Sequence, residues 1–175
     1  MKKFIISLLI VAAFVAIPVS VFAQITNTAE NIDASARIIT PISVSLTTGT
    51  LNFGSMTSPS ASTSVDIAFD KSRTVFSGST TLLTTGLLYE TPDVPTFTVN
   101  GENSAAYTIT FPNGTITLTD GSSNEMTVSN FAHNASEVLS ATGVETFEVS
   151  ARLNIGAEQV AGMYTGEFDV TVTYN

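Results

Sequence analysis

The residues that could support acid–base or nucleophilic chemistry are few, and a single histidine limits them. His133 is that histidine, and the chain contains no cysteine. A Ser-His-Asp triad could form only through His133, which lies at the end of the strand predicted over Met126–Ala132 and precedes Asn134. We therefore interpret His133 as a turn histidine that makes a local hydrogen bond. A structural zinc site needs about four Cys, His or carboxylate ligands, which this composition makes implausible.

Paired carboxylates are the second chemistry to consider, because glycosidases use two. Glu145 with Glu148, or Glu167 with Asp169, could approach each other across strands. Glu167 and Asp169 fall on the solvent-facing side of an alternating segment, so solvated surface charge is the preferred interpretation. The loop 120–125 offers oxygens for calcium but lacks the regular acidic spacing of an EF-hand, and we interpret it as a hairpin turn.

Phosphate and aromatic binding sites are also poorly supported. Gly49, Gly54 and Gly86 are too isolated to form a phosphate-binding loop. Trp is absent, and most Phe and Tyr residues fall in phase with the apolar face, which indicates core packing. Tyr89, beside two prolines, is the best candidate for an exposed aromatic residue. The sequence therefore predicts no enzyme, no catalytic residue, no cofactor and no metal site.

The elements that must position all these residues are β-strands, because apolar residues recur at every second position. The segments from Phe147 to Ile155 and from Tyr164 to Tyr174 alternate most clearly. Shorter segments around residues 65–69, 97–99, 107–111, 116–118 and 126–128 alternate in the same way, and residues 78–95 are expected to form a strand with a connecting loop. Turns that contain Gly separate them. This spacing predicts an all-β antiparallel sandwich, although periodicity alone leaves a closed barrel open.

The first 23 residues have the order of a cleavable secretory signal peptide. Lys2 and Lys3 precede an apolar run from Phe4 to Ile17, and small residues end at Ala23. The run is shorter than the ~20 apolar residues of a spanning helix. We expect a signal peptide over 1–23, a polar arm over 24–36 and a β-sandwich domain over 37–175. The expected location is extracytoplasmic (periplasm, cell surface or secreted), with no transmembrane segment after cleavage.

The charge balance is acidic. The chain has 6 basic and 15 acidic residues, a formal net charge of −9. Loss of Lys2 and Lys3 with the signal leaves 4 basic residues and a net charge of −11. Because nucleic-acid affinity comes mainly from Lys and Arg on phosphates, a nucleic-acid partner is not expected. Because its net charge is negative, anionic membrane surfaces should repel the domain.

Four stretches, in chain order, carry a family resemblance. They are ARIITPISVS with GTLNFGSM, then RTVFSGSTTLL, then PTFTVNGENSAAYTITFP with LTDGSSNEMTVSNF, and finally VSARLNIGAEQVAGMYTGEFDVTVTYN. Through them, across about residues 34–175, the chain resembles a secreted bacterial family of domains of unknown function, numbered four-four-zero-two. The closing stretch is the most specific. One departure is Ser150-Ala151, where the family often has a Gly pair.

The resemblance implies an immunoglobulin-like sandwich similar to the spore-coat-U type of pilin. Such pilins are assembled by a chaperone and usher, and a strand from one subunit completes the sheet of the next. The expectation is an exported, non-enzymatic cell-surface or pilus-like subunit, for which the arm 24–36 is a candidate donor strand. Its expected partners are copies of itself or related subunits, and a periplasmic chaperone and usher. The alternative is a secreted carbohydrate- or matrix-binding module (adhesin).

Overall fold

The computed structural model describes residues 32–175, and within that range every regular element is a strand. The predicted signal peptide and most of the predicted arm lie outside the described residues. Residues from Ile38 to Asn175 form one compact unit. The strands are β1 Ser43–Thr48, β2 Thr63–Ile67, β3 Arg73–Ser77, β4 Thr96–Asn100, β5 Tyr107–Thr110, β6 Thr115–Thr119, β7 Glu125–His133, β8 Val144–Ile155 and β9 Thr171–Tyr174. All pairs are antiparallel, which confirms the predicted all-β, sandwich-like class.

The long strand β8 organises the sheets because three other strands pair with it. Its first half pairs with β4, and its second half pairs with both β2 and β7. Beyond these, β1 pairs with β4, β3 with β2, and β6 with β7. A second sheet contains β5 and β9. Thr119 and Thr165 connect β6 to the C-terminal segment through two backbone hydrogen bonds of 2.9 Å.

The core follows the predicted alternation along β8, whose residues 147, 149, 151, 153 and 155 are all buried. One buried cluster surrounds Val65, Val128 and Leu153, and another surrounds Val99, Tyr107 and Phe147. Phe131 and Phe168 pack against both clusters. The two clusters therefore form one continuous interior between the sheets.

Six aromatic side chains form a closed ring where the clusters meet. Neighbouring ring centroids lie between 5.1 and 6.4 Å apart. In order around the ring they are Phe97, Phe147, His133, Phe111, Phe131 and Phe168. Because these residues come from β4, β8, β7 and the segments beside β5 and β9, their packing holds the two sheets together.

The C-terminal strand is shorter than predicted. Only Thr171–Tyr174 is a strand, and Thr165 forms an isolated bridge. The side chains still alternate, since residues 164, 168, 170, 172 and 174 are half-buried and those between them are exposed. Pairing fails over 166–170 because the facing chain turns between β5 and β6. Gly114 N donates to Phe111 O there, and Pro112 has no amide hydrogen to donate.

The strand expected within residues 78–95 is absent apart from two isolated bridges, Met56 with Leu82 and Asn52 with Asp93, so that prediction is wrong. The apolar residues that suggested it do not all face a core, since Leu87 is 100% exposed and Leu88 is also exposed. The alternation analysis also missed β1 and β3, which are short strands whose side chains are mostly exposed. Among residues 32–175, no helix has the length and hydropathy to cross a membrane.

Candidate functional site

His133 is part of the aromatic interior, so its interpretation as a turn residue is wrong. It is the last residue of β7, and its ring lies 6.3 Å from that of Phe111 and 6.0 Å from that of Phe147. Its Nδ1 is buried and has no hydrogen-bond partner among the described residues, and its Nε2 lies 3.8 Å from Glu137 Oε1. The expected local hydrogen bond is absent because β7 extends one residue further than predicted.

Glu145 and Glu148 do not form a carboxylate pair. They are three residues apart on β8, so their side chains leave opposite faces of the strand. Glu148 Oε2 accepts a hydrogen bond of 3.1 Å from Asn134 Nδ2. Glu145 accepts hydrogen bonds from Ser136 N at 2.6 Å and from the Tyr107 hydroxyl at 2.9 Å. Both carboxylates therefore stabilise the loop and strand beside them.

The environment of Glu145 shifts two pKa values in opposite directions. Burial tends to raise the pKa of Glu145, but the hydrogen bonds from Ser136 and Tyr107 outweigh burial and lower it below its ordinary value. Burial raises the pKa of Tyr107, and the hydrogen bond to the Glu145 carboxylate raises it further. The pair is therefore ionised carboxylate with neutral phenol at neutral pH.

We expect Glu145→Gln to lower stability at neutral pH and to flatten the acid side of the stability profile. The lowered folded-state pKa gives a contribution that is fully present above the ordinary glutamate pKa. It is lost as the pH falls through the folded-state pKa. Urea denaturation between pH 3 and pH 7 measures this, with the exposed Glu167→Gln as control. A constant difference between wild type and Glu145→Gln across that range would contradict the assignment.

The other predicted candidates remain surface or turn residues. Glu167 and Asp169 are exposed, as their solvent-facing assignment requires. Asp120 caps the β6–β7 turn, where its Oδ2 accepts from Asn124 Nδ2 at 2.7 Å and its Oδ1 accepts from Ser122 N at 2.8 Å. In the part of the chain that the structure describes, no group of three or more His, Cys, Asp or Glu side chains could hold a metal ion.

Tyr89 is half-buried, so the prediction of an exposed aromatic at that position is wrong. The exposed aromatic is Phe76 on β3, which is 61% exposed. The Arg152 guanidinium lies 3.3 Å from its ring centroid and covers one face of the ring. Arg152 is itself held by Asp66 through hydrogen bonds of 2.6 and 2.9 Å. Phe76 therefore belongs to a side-chain stack on the outer sheet face.

The feature best suited to binding is a seam between β1 and the C-terminal segment 164–174. β1 pairs only with β4, and β9 pairs only with β5, among the described strands. β1 and β9 contact each other, yet no strand pairing joins them. Antiparallel pairings join β1 to β4, β4 to β8, β8 to β7 and β7 to β6, and an antiparallel bridge joins Thr119 of β6 to Thr165. β1 and the C-terminal segment therefore run in opposite directions. The seam is thus bordered by two strand edges with unpaired backbone groups.

One end of the seam is closed by Tyr174. Its hydroxyl donates to Thr40 O at 2.8 Å and accepts from Glu102 N at 2.5 Å. Thr40 N also donates to Glu102 Oε2 at 2.9 Å. These bonds fasten the start of β1 to the end of β9, so the seam can open only toward Leu46 and Phe168.

Apolar side chains line the seam and are only partly covered. Along β1 the residues are Ile42 and Val44, which are half-buried, and Leu46, which is 57% exposed. Along the C-terminal segment they are Phe168, Val170, Val172 and Tyr174, all half-buried. All of these except Leu46 pack against the same core cluster. An extended strand with apolar residues at alternate positions would fit this arrangement, because it could bond both edges and cover both rows.

Sequence reasoning could not locate the seam because it depends on which strands fail to pair. The available signal was the alternation of Ile42, Val44 and Leu46 within one of the stretches that carry the family resemblance.

A family model described as a domain of unknown function (DUF4402) matches residues 42–174. No curated protein and no solved structure matches the chain.

Proposed function

The chain belongs to the family DUF4402, a domain of unknown function, and from that premise we propose that it is an exported, non-enzymatic surface subunit that assembles by strand complementation. The observation that carries this proposal is the seam, where β1 and β9 touch without pairing and leave Leu46 exposed and the other apolar residues half-buried. In this proposal a strand from a second copy enters the seam. Unprotected sheet edges otherwise promote uncontrolled aggregation, so a specific occupant is favoured.

The segment before β1 has the properties of such a strand. Ile32, Ala34, Ala36 and Ile38 alternate with Asp33, Ser35 and Arg37. Ile32 is 85% exposed and Ile38 is 97% exposed. Burying an Ile side chain is worth about 1.5–3 kcal/mol, so two such anchors would contribute about 3–6 kcal/mol to complementation.

The closed end of the seam disfavours insertion of the segment before β1 into the seam of its own molecule. Thr40 is bonded to Tyr174 and Glu102 at the closed end, and Pro41 follows it directly. A segment that ends at Ile38 would have to reverse sharply across this fastened point to enter its own seam. A second copy meets no such restriction, so the proposed partner is another molecule of this chain or a related subunit.

Aspartate substitutions on the apolar face and on the opposite face of each strand test this assembly. In the chain from residue 24 onward, Ile32→Asp and Leu46→Asp should each reduce self-association, measured by sedimentation. The controls Ser35→Asp and Thr47→Asp add the same charge on the opposite strand faces and should leave association unchanged. Loss of about 2 kcal/mol of burial corresponds to roughly 30-fold weaker association.

Mixing the two variants distinguishes the donor from the seam. Ile32→Asp retains an intact seam and Leu46→Asp retains an intact donor, so an equal mixture should form one-to-one complexes and nothing longer. Monomeric wild-type protein at high concentration would contradict the proposal. So would equal losses in the variants and their controls.

Several further parts of the proposal follow from the export pattern and the pilin resemblance. The resemblance to spore-coat-U type pilins, which rests on the sequence stretches alone, would imply assembly through a periplasmic chaperone and an usher. The signal-like residues 1–23 support an extracytoplasmic location and place the donor segment near a new N-terminus after cleavage. Pulse-labelled protein that keeps residues 1–23 and stays in the cytoplasm would contradict this part.

A further inference from the structure

A cavity of about 430 Å³ shares with the seam only Tyr164, the first residue of the C-terminal segment. Its lining includes Leu118, Met126, Leu153 and Ile155 from β6, β7 and β8, which belong to or pack against the buried core. Its walls are the loops 51–59 and 159–164. The volume is within the range of roughly 300–1,000 Å³ found for small-molecule sites.

Both walls are fixed by hydrogen bonds, so the cavity is preformed. Arg73 Nη1 donates to Phe53 O at 2.9 Å and to Ser55 O at 3.0 Å, and Arg73 Nη2 donates to Leu83 O. On the other wall, Gln159 Nε2 donates to the Tyr164 hydroxyl at 2.9 Å. Ser58 Oγ joins the walls by donating to Gln159 O at 2.7 Å.

The methionines of the chain are concentrated at this cavity. The sequence has 4 methionines, and the three that follow Met1 all line it: Met56, Met126 and Met163. Met side chains are flexible and polarizable, so they adapt to ligands of varied shape and are common at binding surfaces. Met163 is exposed at the rim, whereas Met56 and Met126 are half-buried.

One charged residue lines the cavity, and its side chain has no partner among the described residues. Glu90 lines the cavity, and its backbone N donates to Ser55 Oγ at 3.1 Å, which ties it to the wall. Its carboxylate makes no hydrogen bond or ion pair with the described residues. The chain as a whole carries a net charge of −9, which raises the local concentration of cations.

We propose that this cavity binds a small molecule with an apolar body and a cationic end. The apolar body lies against Leu118, Met126 and Leu153, and the cation lies beside Glu90. The assignment rests on the methionine-rich apolar lining, the fixed walls and the single available carboxylate. It is independent of assembly through the seam, and neither conclusion requires the other.

Three probes that share a naphthalene ring and differ in charge test the proposal. Protein labelled with ¹³C at its methionine methyl groups is titrated with 1-naphthylmethylammonium, with neutral 1-naphthylmethanol and with anionic 1-naphthylacetate. We expect the ammonium probe to shift the methyl signals of Met56, Met126 and Met163 and to bind several-fold more tightly than the acetate. Glu90→Gln should weaken the ammonium probe about two- to five-fold and leave the neutral probe unchanged. The exposed Glu125→Gln, outside the cavity, should change neither.

Two results would overturn the proposal. One is the absence of methyl shifts with the ammonium probe at millimolar concentration. The other is equal binding of the ammonium and acetate probes together with no effect of Glu90→Gln. Because the readout is local to three methyl groups, it reports on the cavity whether or not the protein polymerises.

Discussion

Phe147→Ala is expected to lower the free energy of unfolding by about 3–5 kcal/mol, which is a large share of a typical domain stability of about 5–15 kcal/mol. Phe147 is 1% exposed and stacks on Phe97 with ring centroids 5.4 Å apart. It also meets His133 edge-on at 6.0 Å. Truncation opens the aromatic ring between the sheets and leaves a void that surrounding strands cannot fill. Urea denaturation followed by circular dichroism measures the loss.

The matched control for this prediction is Phe76→Ala, which removes the same side chain from an exposed position on β3. Its expected loss is smaller, about 0.5–1 kcal/mol, because it removes an exposed cation–π contact with Arg152 and leaves no buried void. Comparable losses in the two variants would show that the aromatic ring does not hold the sheets together.

The second large effect is expected at Gly143, in the turn that leads into β8. Its φ is +75°, and an added Cβ would lie 2.3 Å from Gly101 O. Gly143 O also accepts from Gly101 N at 2.9 Å, so the two backbones cannot separate without losing this bond. Gly143→Ala should cost about 1–2 kcal/mol for the left-handed conformation. Displacing the backbone should cost a further ~1–3 kcal/mol.

Gly114→Ala separates these two contributions. Gly114 has a φ of +56°, but no atom lies within 4 Å of an added Cβ there. This control therefore carries only the conformational cost, and the difference between the variants measures the backbone clash. Equal losses of unfolding free energy would contradict the close approach of Gly143 to Gly101.

Much of the fold was predictable because strand formation leaves a local signal. The alternation from Phe147 to Ile155 identified the buried face of β8 residue by residue. The same signal identified the half-buried face of segment 164–174 correctly but overestimated its pairing. Pairing of residues 166–170 depends on the facing chain, where the turn at Pro112–Gly114 removes a partner. Side-chain alternation carries no information about that facing chain.

The sequence by itself determined that the chain is built from antiparallel strands, which side of each strand is apolar, and that residues for catalysis are scarce. These properties depend on neighbouring residues, so they can be read along the chain. Only the tertiary structure decided that β1 and β9 meet without pairing, and that Met56, Met126 and Met163 line one cavity. It also placed His133 among phenylalanines and separated Glu145 from Glu148 across a strand. Except for the Glu145 and Glu148 pair, these arrangements join residues far apart in the chain, and their geometry is set by strand register and loop packing.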